Sequence, residues 1–322
     1  MSEMTEMSEM PAPTERPSDY QYRLAALSGH RPAHVLACWG LTSLLTGAAL
    51  HFEGDWAVPV LTWAGDADAL AQAAAKALVA GTWDLENRSL QGVKTTTPSR
   101  TVANALSRAA WKASRDAAGL IANNVVQTYD LSDLSASSKS AKKQKTDIQV
   151  GAAALTLLSS KSYSAKSVRD TWSLLSAGAP EAARATAAVE IARLLDGRLA
   201  VAEAKPGLRF SASQPTPRLT SGSEKCDVHP LIDLLAFCGQ LLLQPAQRPV
   251  SSGPRKVFTW VLNPVPLTIT MILDLHESPP DRLPWPRWSS AILLSSQPGP
   301  AISFLGPAKE EPAAVAQGGS RD

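Results

Sequence analysis

Between residues 88 and 115 the chain carries six basic side chains, Arg88, Lys94, Arg100, Arg108, Lys112 and Arg115, and no acidic one. A second basic run, Lys139, Lys142, Lys143 and Lys145, sits in the serine-rich stretch 132–146. Clustered Lys and Arg bind phosphate backbones by displacing counterions, and Ser, Thr and Asn beside them donate hydrogen bonds to phosphate oxygens. Trp111 and Tyr129 lie close by in sequence and offer rings on which unpaired bases can stack. These residue types suit contact with nucleic acid, and the candidate binding residues are Arg100, Arg108, Lys112, Arg115, Lys139, Lys142, Lys143 and Lys145. The plainer reading is a solvated basic face with Trp111 in the core.

Other chemistry is thinly represented. The chain has no G-x-x-x-x-G-K-[ST], no G-x-G-x-x-G after a strand, no H-E-x-x-H and no G-x-S-x-G. Cys226-x-x-His229 with Cys238 further on resembles part of a zinc set, but zinc needs a fourth ligand and Cys238 sits in an apolar run. His30 and His34 are spaced to share a helix face, and Asp274, His276 and Glu277 crowd a proline-flanked segment read as a loop. Both groups are read as structural, since catalysis needs a geometric constellation that spacing alone does not supply. No catalytic residue, cofactor or metal is expected.

The elements that must carry these residues follow from periodicity. The basic side chains from Arg100 to Arg115 recur every three or four residues within 102–120, which places them along one face of an amphipathic helix. Its opposite side is Val102, Leu106, Ala109, Ala113 and Leu120. Ahead of it, Pro32 opens a helix whose apolar residues go nearly all round, so both sides should meet protein. Gly47 fits its stop, and 50–63 then reads as a strand or hairpin. A helix over 64–79 capped by Asp66 or Asp68 follows, with a loop from Gly81. Further helices are predicted over 150–158, 167–175 and 180–195, the last closed by Gly197. Behind a stretch read as a linker, 205–225, His229-Pro230 introduces the apolar run 231–243, and the β-branched and aromatic segment 256–272 reads as strand.

The two ends echo one another. Leu36-Ala37-Cys38-Trp39-Gly40 and Leu235-Ala236-Phe237-Cys238-Gly239 share the pattern L-A-x-x-G, each behind a proline and ahead of a strand-like run with Val-Pro. The fold class expected is α+β, helix-dominated, in two parts each ordered helix then strand or hairpin, with disordered termini. The expected layout is an acidic tail over 1–19, a mixed domain over 20–204, the linker, a subdomain over 226–306, and a tail over 307–322. Length and a 44% hydrophobic content suffice for a substantial core. Three cysteines, which cannot all pair, point to a reducing, cytoplasmic setting. The start, MSEMTEMSEM, lacks the basic-then-apolar order of a signal peptide, and no apolar run is long enough to cross a bilayer.

The pattern Leu27-x-Gly29-His30-x-Pro32-Ala33-His34-x-Leu36-Ala37-x-x-Gly40-Leu41, followed by LHFEGDWAVPVLTW, resembles the start of CRISPR-associated subunits of type I systems. LIDLLAFCGQLLL and FTWVLNPVPLTI are similar to the distal part of the small proteins of subtype I-G (I-U), among them a family described as an extension of the helicase-nuclease. The resemblance covers residues 24–80 and 226–275. It implies a prokaryotic antiviral-defence component, non-enzymatic, with CRISPR effector or nuclease subunits and guide RNA or target DNA as partners. The alternative is a protein-interaction scaffold that does not touch nucleic acid.

Overall fold

A computed structural model describes residues 20–82, 127–129, 147–149, 164–176, 180–204, 208, 210, 225–242, 257–277, 284–294 and 303–311 of the chain. Helix α1 spans Pro32–Leu44, with the proline in its first turn where no N–H is needed. All thirteen of its residues are buried. A helix apolar on every side can be central only if its polar groups are satisfied locally: the Thr42 hydroxyl donates to Cys38 O at 2.8 Å and that of Ser43 to Gly40 O at 2.6 Å. Gly47, at φ +77°, turns the chain afterwards.

The expected hairpin forms from β2 (Ala49–Glu53) and β3 (Val58–Trp63), in the register Leu50↔Leu61 and Phe52↔Pro59. A strand absent from the sequence reading, β1 (Tyr20–Arg23), pairs on the far side of β3. Helix α2 spans Ala67–Thr82, its start capped by Asp66, whose Oδ1 accepts from the Ala69 N–H at 2.8 Å. It continues through Gly81, where a loop was expected, and the Thr82 hydroxyl closes on Leu78 O.

Short strands β4 (Gln127–Tyr129) and β5 (Asp147–Gln149) pair antiparallel. Helices α3 (Ser164–Leu175) and α4 (Pro180–Leu195) match their expected positions, with Gly197 at φ +74° behind α4. Strands β6 (Ala202–Ala204) and β7 (Cys226–Val228) then pair across the stretch expected to be a linker, and Leu208 and Phe210 within it are buried in the core. That stretch joins two paired strands and contributes to the same core as its flanks.

Helix α5 spans Pro230–Leu242, followed by β8 (Val257–Val261) and β9 (Leu267–Thr268). The strand reading of 256–272 fails at its end: Ile269–Glu277 is helix α6, which puts Ile272, Leu273 and Leu275 into the core at helical spacing. Asp274, His276 and Glu277 therefore lie on a helix, not in a loop. Strands β10 (Arg287–Leu294) and β11 (Ser303–Glu311) complete the order, β11 running past Pro307, where a tail was expected to begin.

The architecture is α+β with helix outweighing strand, and each of the two central helices precedes strand, α1 before β2 and β3 and α5 before β8. One sheet has the order β1-β3-β2-β9 and another β11-β10-β8, all antiparallel. The β9 strand comes from the far end of the chain, so the first sheet is completed by the second part. Between them α1 lies against α5, α2 against α4, and α3 against α5. The two L-A-x-x-G motifs meet at the α1–α5 contact: a Cβ on Gly40 would overlap Leu235 O, and one on Gly239 would overlap Leu36 O. Only glycine lets the two backbones approach so closely.

Candidate functional site

Arg100, Arg108, Lys112, Arg115, Lys139, Lys142, Lys143 and Lys145 all lie outside the described residues, as do the predicted helices over 102–120 and 150–158. What is described is the framing of the lysine run. The β4–β5 pairing, Tyr129↔Asp147 through Gln127↔Gln149, brings together the two ends of the stretch 130–146 that contains it. The larger stretch 83–163 is bracketed by α2 and α3, and these helices meet where the Trp172 indole N–H donates to the Thr82 hydroxyl at 3.0 Å.

The histidines singled out by spacing are held apart in function. His30 precedes α1 and stacks on Trp288, ring centroids 4.2 Å apart. His34 is buried in the first turns of α1, and its Nδ1 accepts from the Ser28 N–H at 3.1 Å, which leaves the ring proton on Nε2. Burial, then the charge of Arg31 and the nearby His229, push its pKa down to about 3. His276 donates from Nδ1 to Ile272 O at 2.6 Å, accepts weakly from the Val261 N–H, and meets Trp39 edge-on. Burial lowers its pKa to about 4 although the Ile272 bond pulls the other way. His34 is a neutral core histidine, and His276 is neutral and half-buried against Trp39.

The partial zinc set does not assemble. Cys38, Cys226 and Cys238 are free thiols, Cys38 and Cys238 buried and Cys226 partly exposed. His229 donates to Ala200 O at 3.0 Å. Among the described residues no group of three His, Cys, Asp or Glu side chains could hold a metal ion. Nor is any described helix long and apolar enough to cross a membrane.

A surface feature that spacing did not single out is built by two turns and the start of β10. The β2–β3 turn closes with the Ala57 N–H donating to Gly54 O at 2.9 Å, and Trp56 at its tip is 78% exposed. The Ser28 hydroxyl donates to Trp56 O at 2.9 Å and accepts from the His30 N–H at 3.2 Å. One hydroxyl thus joins the Trp56 turn to the His30–Trp288 stack, with Arg31 exposed beside it. From beneath, the Trp260 indole N–H fixes Gly29 O at 2.8 Å. The signal that would have found Trp56 is its place in Gly54-Asp55-Trp56-Ala57 between two strand-like runs, since a hairpin tip cannot reach a core. With this geometry in hand, comparison of the whole chain with protein-family models, curated proteins and solved structures finds no match in any of the three.

Proposed function

We propose that the protein is a non-enzymatic subunit of a CRISPR type I-G-like assembly that contacts guide RNA or target DNA through its basic residues. The observation that carries this reading is charge segregation. Residues 83–163 hold eleven Lys and Arg against six Asp and Glu, while the rest of the chain holds twenty against twenty-three. A stretch with that excess of positive charge, in a chain otherwise slightly acidic, attracts anions such as a phosphate backbone. The resemblance adds the effector context: its two stretches supply α1 and α5, the central pair of the core.

The test is Arg108→Glu, Lys112→Glu and Arg115→Glu in one variant, titrated against labelled RNA and DNA over a range of salt. The expected result is weaker binding and a log–log salt slope smaller by about three, near one unit for each phosphate no longer neutralised. Affinity and slope equal to the wild type would remove the site assignment. A scaffold that docks a protein partner is favoured by the exposed Trp56, Val265 and Met271. It requires effector subunits that stay bound through nuclease treatment and high salt.

A further inference from the structure

We propose that the N-terminal end of α1, with its uncapped backbone N–H groups, the Nε2–H of His34 and the Arg31 guanidinium, binds a phosphate-type oxyanion. The site lies outside the basic stretch on which the nucleic-acid reading rests, and it stands or falls separately.

Three observations carry the inference. First, α1 begins without a cap. Arg31 occupies the N-cap position at φ −115° and ψ 118°, no side chain bonds to the first turn, and that turn holds no acidic residue. Ala33 and His34, the second and third helical residues, therefore present N–H groups with no partner among the described residues. In a helix of thirteen residues these groups sit at the positive end of the aligned peptide dipoles. Both residues are buried, where a donor left without an acceptor is costly.

Second, a buried side chain adds a donor at the same end. Helical side chains lean towards the N-terminus, and the His34 ring leans far enough for its Nδ1 to accept the N–H of Ser28, six residues back. The ring proton is thus on Nε2, which has no partner among the described residues although His34 is only 6% exposed. Nor is this donor sealed off. The buried polar atoms enclosed without a partner include the Trp39 indole nitrogen and His51 Nδ1, but not His34 Nε2.

Third, the surroundings favour negative charge. Burial, then Arg31 and His229, disfavour a proton on the His34 ring. Arg31 is exposed and makes no ion pair among the described residues. Two backbone N–H groups, an imidazole N–H and a guanidinium are all donors, a set that matches an oxyanion and rejects a cation. The occupant is a phosphate monoester or free phosphate. An internal phosphodiester would bring a sugar on both sides into a first turn where Pro32, Ala33 and His34 are buried.

The experiment follows the melting temperature of the full chain at pH 7 as sodium phosphate replaces sodium chloride at constant ionic strength. The chains compared are the wild type, Arg31→Asp and Arg108→Glu/Lys112→Glu/Arg115→Glu. Arg31→Asp removes the guanidinium and gives the first turn its own carboxylate, which competes for the same N–H groups. It should fold and melt at or above the wild type in chloride, with phosphate affinity reduced about tenfold or more. Phosphate stabilises folded chains in general, so the readout is the rise in the wild type beyond that in Arg31→Asp. In the wild type the His34 Nε2–H proton should also become slow to exchange with water when phosphate is added, which a merely structural histidine would not show. An equal response in the wild type and Arg31→Asp overturns the inference. So does a response lost in the triple charge-reversed variant, which would move the bound phosphate to the basic stretch. A response kept in that variant supports the site, whatever happens to its RNA and DNA binding. A 5′-phosphorylated thymidine dinucleotide that binds more tightly than inorganic phosphate assigns the anion to a nucleic-acid 5′ end, and one no tighter assigns it to the free ion. Equal binding of the dinucleotide without its 5′ phosphate overturns the site.

Discussion

His34 and His276 make the folded chain sensitive to acid. Unfolded, both imidazoles take up a proton near pH 6.5. Folded, burial holds them neutral down to about 3 and about 4 respectively. Between these values and 6.5 the unfolded chain binds more protons, so stability rises with pH there. The contribution is complete above about pH 6.5 and is lost as the pH falls through the folded values, at about 1.4 kcal/mol per pH unit for each histidine. The melting temperature should therefore fall from pH 7 to pH 5, and His276→Gln should flatten that fall. A His276→Gln melting curve with the wild-type pH slope would show that His276 takes no part. The structural reading of these histidines rested on the lack of a complete catalytic or metal constellation around either, although His276 was placed in a loop and lies on helix α6. The bond of His34 to the Ser28 N–H was not legible, because it depends on a turn that carries no periodic signal. The exposure of Trp56 was legible only from its place between two strand-like runs, a signal the search for chemical motifs passes over.

At the scale of elements, Gly40 and Gly239 decide how closely the central helices approach. A methyl group on either would overlap a backbone carbonyl of the partner, Leu235 O or Leu36 O, and backbone cannot swing aside as a side chain does. The helices must separate, loosening the packing along two buried surfaces. Gly40→Ala and Gly239→Ala should each destabilise by roughly 2 kcal/mol or more, despite alanine's better helix propensity. The pair should be markedly sub-additive, because helices already pushed apart by one methyl group accommodate the second. Denaturant unfolding of the four-member cycle measures this, and additive losses would mean that the glycines act independently. The L-A-x-x-G pattern was visible in the sequence, but that its two copies touch was not, since 199 positions separate Gly40 from Gly239. The helices with proline at the start and glycine past the end, α1 and α4, were read nearly to the residue. Strands β1, β6 and β7 were missed, being three or four residues long and held by partners distant in sequence. In α6, a β-branched run that favours strand locally is overridden by the core its helical face fills.

For the whole molecule, the question is whether the parts before and after residues 205–225 unfold separately. Order along the chain suggested two units, since each begins with an apolar helix followed by strand. The bonds between them run the other way. Leu50 and Ala49 of β2 pair with Leu267 and Thr268 of β9, the Phe52 N–H donates to Asn263 O at 2.9 Å, and the Asn263 side-chain amide donates to Leu50 O at 2.6 Å. Trp39 of α1 meets Phe258 of β8 edge-on, with centroids 5.9 Å apart. Removing the second part would strip α1 of its main neighbour and leave a helix with thirteen buried residues facing water. The apolar area so exposed, at about 25 cal/mol per Å², exceeds what a domain of this size can spare. The described core should therefore melt in one calorimetric transition, with equal calorimetric and van't Hoff enthalpies. Residues 20–204 expressed alone should lack a cooperative melt and recover one when co-expressed with 226–311. Two resolved transitions, or a cooperative melt of 20–204 alone, would mean that the shared sheet and helix pair contribute less than the cores on either side.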